Sequence, residues 1–186
     1  MDLKSWRNLF VDSTGIVYCD KDGKYEFPLS KKYILDKKTK ERIWDGYLYV
    51  KFPNQRRYFP VHRIMGEVFL HNPCPNFFKV VDHVDRNRSN NNASNLRFVN
   101  PHLNAINRRP TGIRYKRFLD GWRVLLFCKN RMIRVGVFKY YNQAYKAACD
   151  AKLKLFDEQY KKYLTKYKNA CLQKENEEAK KSIHQG

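Results

Sequence analysis

Between Trp6 and Phe59, short apolar runs alternate with turn signals such as Ser13-Thr14-Gly15 and Asp22-Gly23-Lys24, and residues 46–52 predict a longer strand. The spacing of Ile64, Met65, Val68 and Phe69 predicts a helix over 62–70, which stops before Asn72-Pro73. A strand over 79–84 follows, then a loop from Asp85 to Asn95 that is too polar and turn-prone for regular structure, then a strand over 96–99. Asn100-Pro101 combines an N-cap side chain with proline at the first helical position, so a helix begins there, and Pro110 ends it. After the hinge-like residues 108–112 the pattern changes to three short strands, near 113–118, 122–128 and 131–138, and an alanine-rich helix from about Asn142. From Gln173 on the chain is polar and weakly periodic, the pattern of a frayed helix or tail. The divisions that result are a β-rich lead-in (1–45), a module over 46–109, a smaller module over 110–156 and a helical or frayed tail over 157–186.

With 186 residues, 42% hydrophobic and 15% aromatic, the chain can build real cores. Charge narrows the choice of partner. Lys and Arg outnumber Asp and Glu by 38 to 18, a net +20, and residues 105–156 alone hold 13 Lys and Arg against 2 Asp. A polyanion is therefore the expected partner, nucleic acid before membrane, because no apolar run approaches bilayer length. Residues 1–10 lack the apolar run of a signal peptide, so an intracellular, unsecreted protein is expected. Cys19, Cys74, Cys128, Cys149 and Cys171 are odd in number and include no Cys-x-x-Cys pair, which supports neither a disulfide framework nor a structural zinc site. The basic cluster from Lys31 to Arg42 reads as a solvated loop.

The chemistry-bearing residues gather around the predicted strand, loop, strand and helix. Asp82 and His83 end the first strand, Asn95 closes the loop, and Asn104 lies one turn into the helix. Hydrolysis of a phosphodiester needs a base to activate water and a cation to stabilise the departing oxygen. His83 titrates near neutral pH and suits the first task. A carboxylate from Asp82 and an amide oxygen from Asn104, with phosphate oxygens and waters, suit a magnesium shell. Asn95 suits tying the loop back to the strand. In a regular strand Asp82 and His83 would face opposite ways, so one shared site requires the strand to end or distort there.

The string Asp82-His83-Val84-Asp85-Arg86-Asn87, with Asn95 twelve residues after the histidine and Asn104 nine further on, resembles the HNH family in its phage-type homing endonuclease subfamily. Val61-His62-Arg63 and the apolar helix after it resemble the segment that precedes this motif, and together they span about 46–109. The resemblance implies a ββα-metal (His-Me finger) site in an α+β protein. In it His83 activates water, Asp82 and Asn104 bind one divalent cation, and Asn95 is structural. Asparagine rather than histidine at 104 favours magnesium, then manganese, over zinc. Residues 112–156, through Gly112-Ile113-Arg114-Tyr115, Gly121-Trp122-Arg123-Val124, Val135-Gly136-Val137-Phe138 and the helix from Asn142 to Asp150, are similar to the ethylene-response-factor (APETALA-two) type DNA-binding domain. That family's three-stranded sheet enters the major groove, which makes Arg114, Lys116, Trp122, Arg123, Arg131 and Arg134 candidate contacts.

Simpler roles compete at several positions. Asn90, Asn91 and Asn92 read as turn residues, and His62 and Arg63 as helix-capping residues, although Arg63 is also placed to hold a phosphate. Arg86 and Arg88 are candidate phosphate contacts against a background of solvated charge, while Trp122 and Phe138 suit the core of the second module. His71, His102 and His184 carry no chemical role. The expectation is a site-specific, magnesium-dependent endonuclease that nicks one strand of duplex DNA as a monomer. The competitor is a catalytically inactive, sequence-specific DNA-binding regulator on the same scaffold.

Overall fold

The computed structural model of the chain describes residues 2–52, 56–128 and 131–183 and divides into two compact units. The first comprises Met1–Asn72 and Lys79–Phe98, the second Pro73–Phe78 and Val99–Gly186. His184, to which the sequence assigns no role, lies outside the described residues.

In chain order the first unit holds β1 (Lys4–Trp6), β2 (Leu9–Val11), β3 (Val17–Tyr18), β4 (Ser30–Leu35), β5 (Arg42–Val50), β6 (Phe59–Pro60), helix α1 (Val61–Phe69), β7 (Val80–His83) and β8 (Leu96–Val99), whose last residue begins the second unit. The strands form three small sheets, β1-β2-β3, β4-β5-β6 and β7-β8, the first two antiparallel. Helix α1 supplies the anchor. Val61, Ile64 and Met65 are at most 2% exposed, and pack with Leu9, Val11, Val17, Val50, Phe59 and Leu96, so lead-in residues share one core with the helix. Each such side chain contributes on the order of 1.5–3 kcal/mol by leaving water. Gly66 permits close approach to β7, since a Cβ there would stand 2.6 Å from Val81 Cγ2.

The basic stretch read as a loop is instead a hairpin, with Tyr33 opposite Trp44 and Ile34 opposite Ile43. Aromatic and β-branched residues favour strands here, and the Asp36 carboxylate closes the turn by accepting from the backbone N–H groups of Lys38 and Thr39. The ribbon is largely exposed.

The second unit holds α2 (Pro101–Asn107), β9 (Ile113–Lys116), β10 (Gly121–Cys128), β11 (Arg131–Phe138) and α3 (Tyr141–Ile183). At the start of α2, Asn100 Oδ1 accepts from the Leu103 N–H at 2.9 Å with Pro101 at the first helical position, a complete N-cap. The sheet has order β11-β10-β9 and is antiparallel. Its inner face packs Val124, Trp122, Ile113, Val135 and Phe138 against Ala144 and Ala148 of α3, small residues that let helix and sheet approach. The helix continues without a break well past residue 156, because an aromatic ladder holds its middle: Phe78 stacks on Tyr160, Tyr160 on Phe156, and Phe77 lies 3.8 Å from Tyr167. The whole is a mixed α+β chain of small sheets, and no helix among the described residues is long and apolar enough to cross a membrane.

Candidate active site

Strand β7 ends at His83, and the chain turns there at once. The Arg86 N–H donates to the His83 carbonyl at 3.0 Å, and Arg86 itself has φ +67°, so the extended backbone ends directly after His83. Both side chains are buried, at 7% and 5% exposure. Asn95 latches the loop behind them. Its side-chain NH₂ donates to Asp85 Oδ1 (3.0 Å) and the Asn90 carbonyl (2.9 Å), its Oδ1 accepts from the Asp85 N–H (3.1 Å), and its carbonyl accepts from the Val84 N–H (2.8 Å). Burial works against the Asp85 carboxylate, yet donors from Asn90, the Asn87 backbone and Asn95 hold its pKa below the usual carboxylate range.

The ring of His83 sits among polar and aromatic neighbours. Its Nε2 lies 3.4 Å from Oδ1 of Asn91, whose NH₂ faces the Ser89 carbonyl. In the tautomer that donates Nε2–H to this Oδ1, Nδ1 is the basic nitrogen of neutral His83. Burial lowers the His83 pKa, against the opposing pull of Asn91, Asp82 and Asp85, so the ring is neutral at physiological pH. His62 lies alongside, ring centroids 5.1 Å apart, and Tyr47 stands 4.8 Å from His62 and 6.0 Å from His83. Burial, then the positive charge that His83 and Arg63 can carry, push the His62 pKa down to about 3, and its Nδ1 is buried with no hydrogen-bond partner among the described residues. Arg88 lies over the Tyr47 ring at 4.9 Å and donates to the Asp45 carbonyl at 2.8 Å. The Asp82 carboxylate receives Nε and Nη2 of Arg97 on Oδ2, both at 3.2 Å.

The lead-in buttresses this loop. Gly15 takes φ +90° in the β2–β3 turn, where a Cβ would stand 2.7 Å from the Asn91 Cβ, and the Ser13 carbonyl accepts from the Ala93 N–H. Buried Asp12 holds the turn by accepting from the Thr14 hydroxyl, the Tyr18 hydroxyl and the Ile16 N–H.

Asn91 is thus more than a turn residue, and His62 does not cap α1, whose N-cap is Pro60 with no side-chain cap. Spacing points to neither Tyr47 nor Arg97, which reach the site from β5 and β8, and His62, read as a capping residue, reaches it from the first turn of α1. The faint signal was Val61-His62-Arg63, a histidine at the start of an otherwise apolar helix face.

The remaining candidates differ in exposure and place. Arg63 is exposed on α1, Arg86 half-buried, Arg88 exposed. Asn104 is half-buried on α2, in the second unit. On that unit's sheet, Arg114 pairs opposite Arg123, Arg134 opposite Leu125 and Lys116 opposite Gly121, so these four cations share the face turned from α3. Trp122 belongs to the helix-facing side, edge-on to Tyr141, and Arg131 is exposed opposite Cys128. His102 packs edge-on to Tyr163. Among the described residues, no group of three or more His, Cys, Asp or Glu side chains is placed to hold a metal ion.

Residues 59–105 match the family profile of HNH endonucleases. An "Uncharacterized HNH endonuclease L245" of Acanthamoeba polyphaga mimivirus is 32% identical over 108 residues, which cover 58% of this chain and 28% of that protein. A solved structure titled "DNA binding and cleavage by the HNH homing endonuclease I-HmuI" aligns with 29% identity and a TM-score of 0.40 over 57% of each chain. The chain therefore spans little more than a quarter of the curated relative's length, and the family match includes Asp82 and His83. Strands β7 and β8, the Asn95 latch and the start of α2 all fall inside the matched residues, and that segment is HNH-endonuclease-like.

Proposed function

We propose that the protein is a divalent-metal-dependent, site-specific DNA endonuclease of the homing type, acting as a monomer to nick one strand. The observation that carries this reading is the buried, neutral His83 at the end of β7, oriented by Asn91, inside the segment similar to HNH endonucleases.

Water enters as the nucleophile. Asn91 accepts from Nε2–H, which makes Nδ1 the nitrogen that takes the proton as the water oxygen bonds to phosphorus. The bond from phosphorus to the 3′ oxygen breaks, leaving 5′-phosphate and 3′-hydroxyl ends, the departing oxygen taking a proton from solvent. Asp82 and Asn104 would hold the cation. Their donor set is all oxygen, a carboxylate and an amide carbonyl, chemistry that fits magnesium or manganese. When bound, the cation supplies charge to stabilise the leaving oxygen. Asn95 keeps the loop in register with β7, and Tyr47 and His62 wall the His83 ring. Arg63, Arg86 and Arg88 contact phosphates of the cut duplex. The sheet of the second unit, an ethylene-response-factor-like DNA-binding module, places the enzyme through Arg114, Lys116, Arg123, Arg131 and Arg134, while Trp122, on the helix-facing side, supports the sheet from its core.

The test is cleavage of long duplex DNA and of a random-sequence library in magnesium or EDTA, comparing the wild type with His83→Ala on native and denaturing gels. Magnesium-dependent nicks that vanish in His83→Ala support the reading. Binding without cutting, library included and under every divalent metal tried, would assign the chain to the inactive, sequence-specific DNA-binding class instead.

A further inference from the structure

The face of the second unit's sheet that turns away from α3 is divided along its length. Burial alternates along β10: Val124 and Leu126 are buried at 0% and 5%, whereas Phe127, on the opposite side, is 71% exposed. Its cross-strand partner is Met132, 62% exposed. Moving away from this pair, the same face presents Arg134 beside Leu125, then Arg123 beside Arg114, then Lys116. Among the described residues, no acidic side chain occupies a strand position on this face.

We propose that Phe127 and Met132 form an apolar contact for the C5-methyl groups of thymine in the major groove of duplex DNA, a specificity element separate from the cations beside it. The inference rests on reading the chain as a DNA-binding protein and adds to it what this sheet recognises. Four cations that share this face with no acidic strand residue among the described ones call for a polyanion and repel a second copy of the same face. The major groove of B-form DNA admits β-strands, and there thymine offers a methyl group that Phe packs against. Double-stranded RNA fits poorly, because its major groove is too narrow for side chains to read. Arg123 and Phe127 lie four residues apart on β10, roughly 13 Å at strand spacing. That distance matches about four base steps, so the contacted thymine sits about four pairs from the base or phosphate that Arg123 holds.

The experiment uses the full chain in EDTA, which prevents cutting. Duplexes bound from a random pool are sequenced, and the best is remade with single thymine-to-uracil replacements, each of which removes one methyl group and nothing else. Wild type is expected to lose about fourfold in affinity for each methyl it contacts, at one or two positions. Phe127→Ala/Met132→Ala is expected to bind the thymine and uracil forms alike, and thermal melting will show it folded, since both side chains are on the surface. Equal binding of the two forms by wild type overturns the proposal; a retained steep salt dependence then keeps the DNA-binding reading intact, whereas no duplex binding at all removes both. Discrimination that persists in the double variant overturns it as well, placing the methyl contact elsewhere. Dimerisation of wild type that the double variant abolishes also overturns it, assigning the pair to a second copy.

Discussion

His62 and His83 stand ring to ring, 5.1 Å between centroids, and the buried Nδ1 of His62 has no hydrogen-bond partner among the described residues. A buried polar atom left unpaired costs about 1–3 kcal/mol. His62→Phe keeps the ring wall and removes that atom, so the variant is expected to be as stable as wild type or more so at pH 7. The acid limb is expected to change too. With its folded pKa at about 3, below the ordinary value of 6.5, His62 binds its proton more readily in the unfolded chain. Stability from this group is therefore complete above pH 6.5 and lost as pH falls towards 3. Denaturant midpoints between pH 7 and pH 4 will fall less steeply in His62→Phe, and parallel slopes would sink the assignment.

Arg97 gives Asp82 two charged hydrogen bonds on one carboxylate oxygen. Arg97→Met retains the apolar stem and removes both. The expected loss is about 1.5–3 kcal/mol in urea unfolding, since the carboxylate is only 7% exposed. The same variant is expected to alter the magnesium concentration for half-maximal cleavage, because the cation and the guanidinium meet the same carboxylate. Unchanged stability and an unchanged magnesium curve together would show that the pair does nothing for the site.

Gly15 meets two demands at once, a φ of +90° and the approach of Asn91. Gly15→Ala puts a methyl group 2.7 Å from the Asn91 Cβ in a backbone conformation that alanine resists. A stability loss of about 1–3 kcal/mol is expected. Single-turnover cleavage is expected to slow more than binding weakens, because Asn91 orients the His83 ring. Weakened binding at an undiminished cleavage rate would exclude that role.

The cations on the outer sheet face make a prediction in salt. If Arg114, Arg123 and Arg134 each displace a counterion from a phosphate, replacing all three with Ala reduces the slope of log affinity against log salt by about 2.7. Duplex titrations in EDTA between 50 and 200 mM salt, taken as about the range where such slopes are linear, measure it. A slope that stays put moves the phosphate grip to other residues.

Local pattern was enough for the elements around the site. Asn100 and Pro101 start α2 by chemistry confined to four residues, and the apolar spacing of 64, 65, 68 and 69 makes one helix face whatever packs against it. The Lys31–Arg42 hairpin was missed because its charges masked a strand preference that shows only once Tyr33 and Ile34 find Trp44 and Ile43 across the ribbon. The continuity of α3 was half legible: the sequence reads as either helical or frayed over 157–186, and the stacking of Tyr160 and Tyr167 on Phe78 and Phe77 that holds it as one helix is long-range.

From the sequence alone come the mixed α+β class, the strand, loop, strand and helix that carry Asp82, His83, Asn95 and Asn104, and the strong positive charge, because each depends on spacing or composition over a few residues. Only the tertiary structure decided that Arg97 meets Asp82, that Asn91 rather than a nearer asparagine faces His83, and that Tyr47 and His62 line the same ring. Those contacts join residues 8 to 36 positions apart, and strand register, turn geometry and burial choose them, none of which a one-dimensional pattern contains.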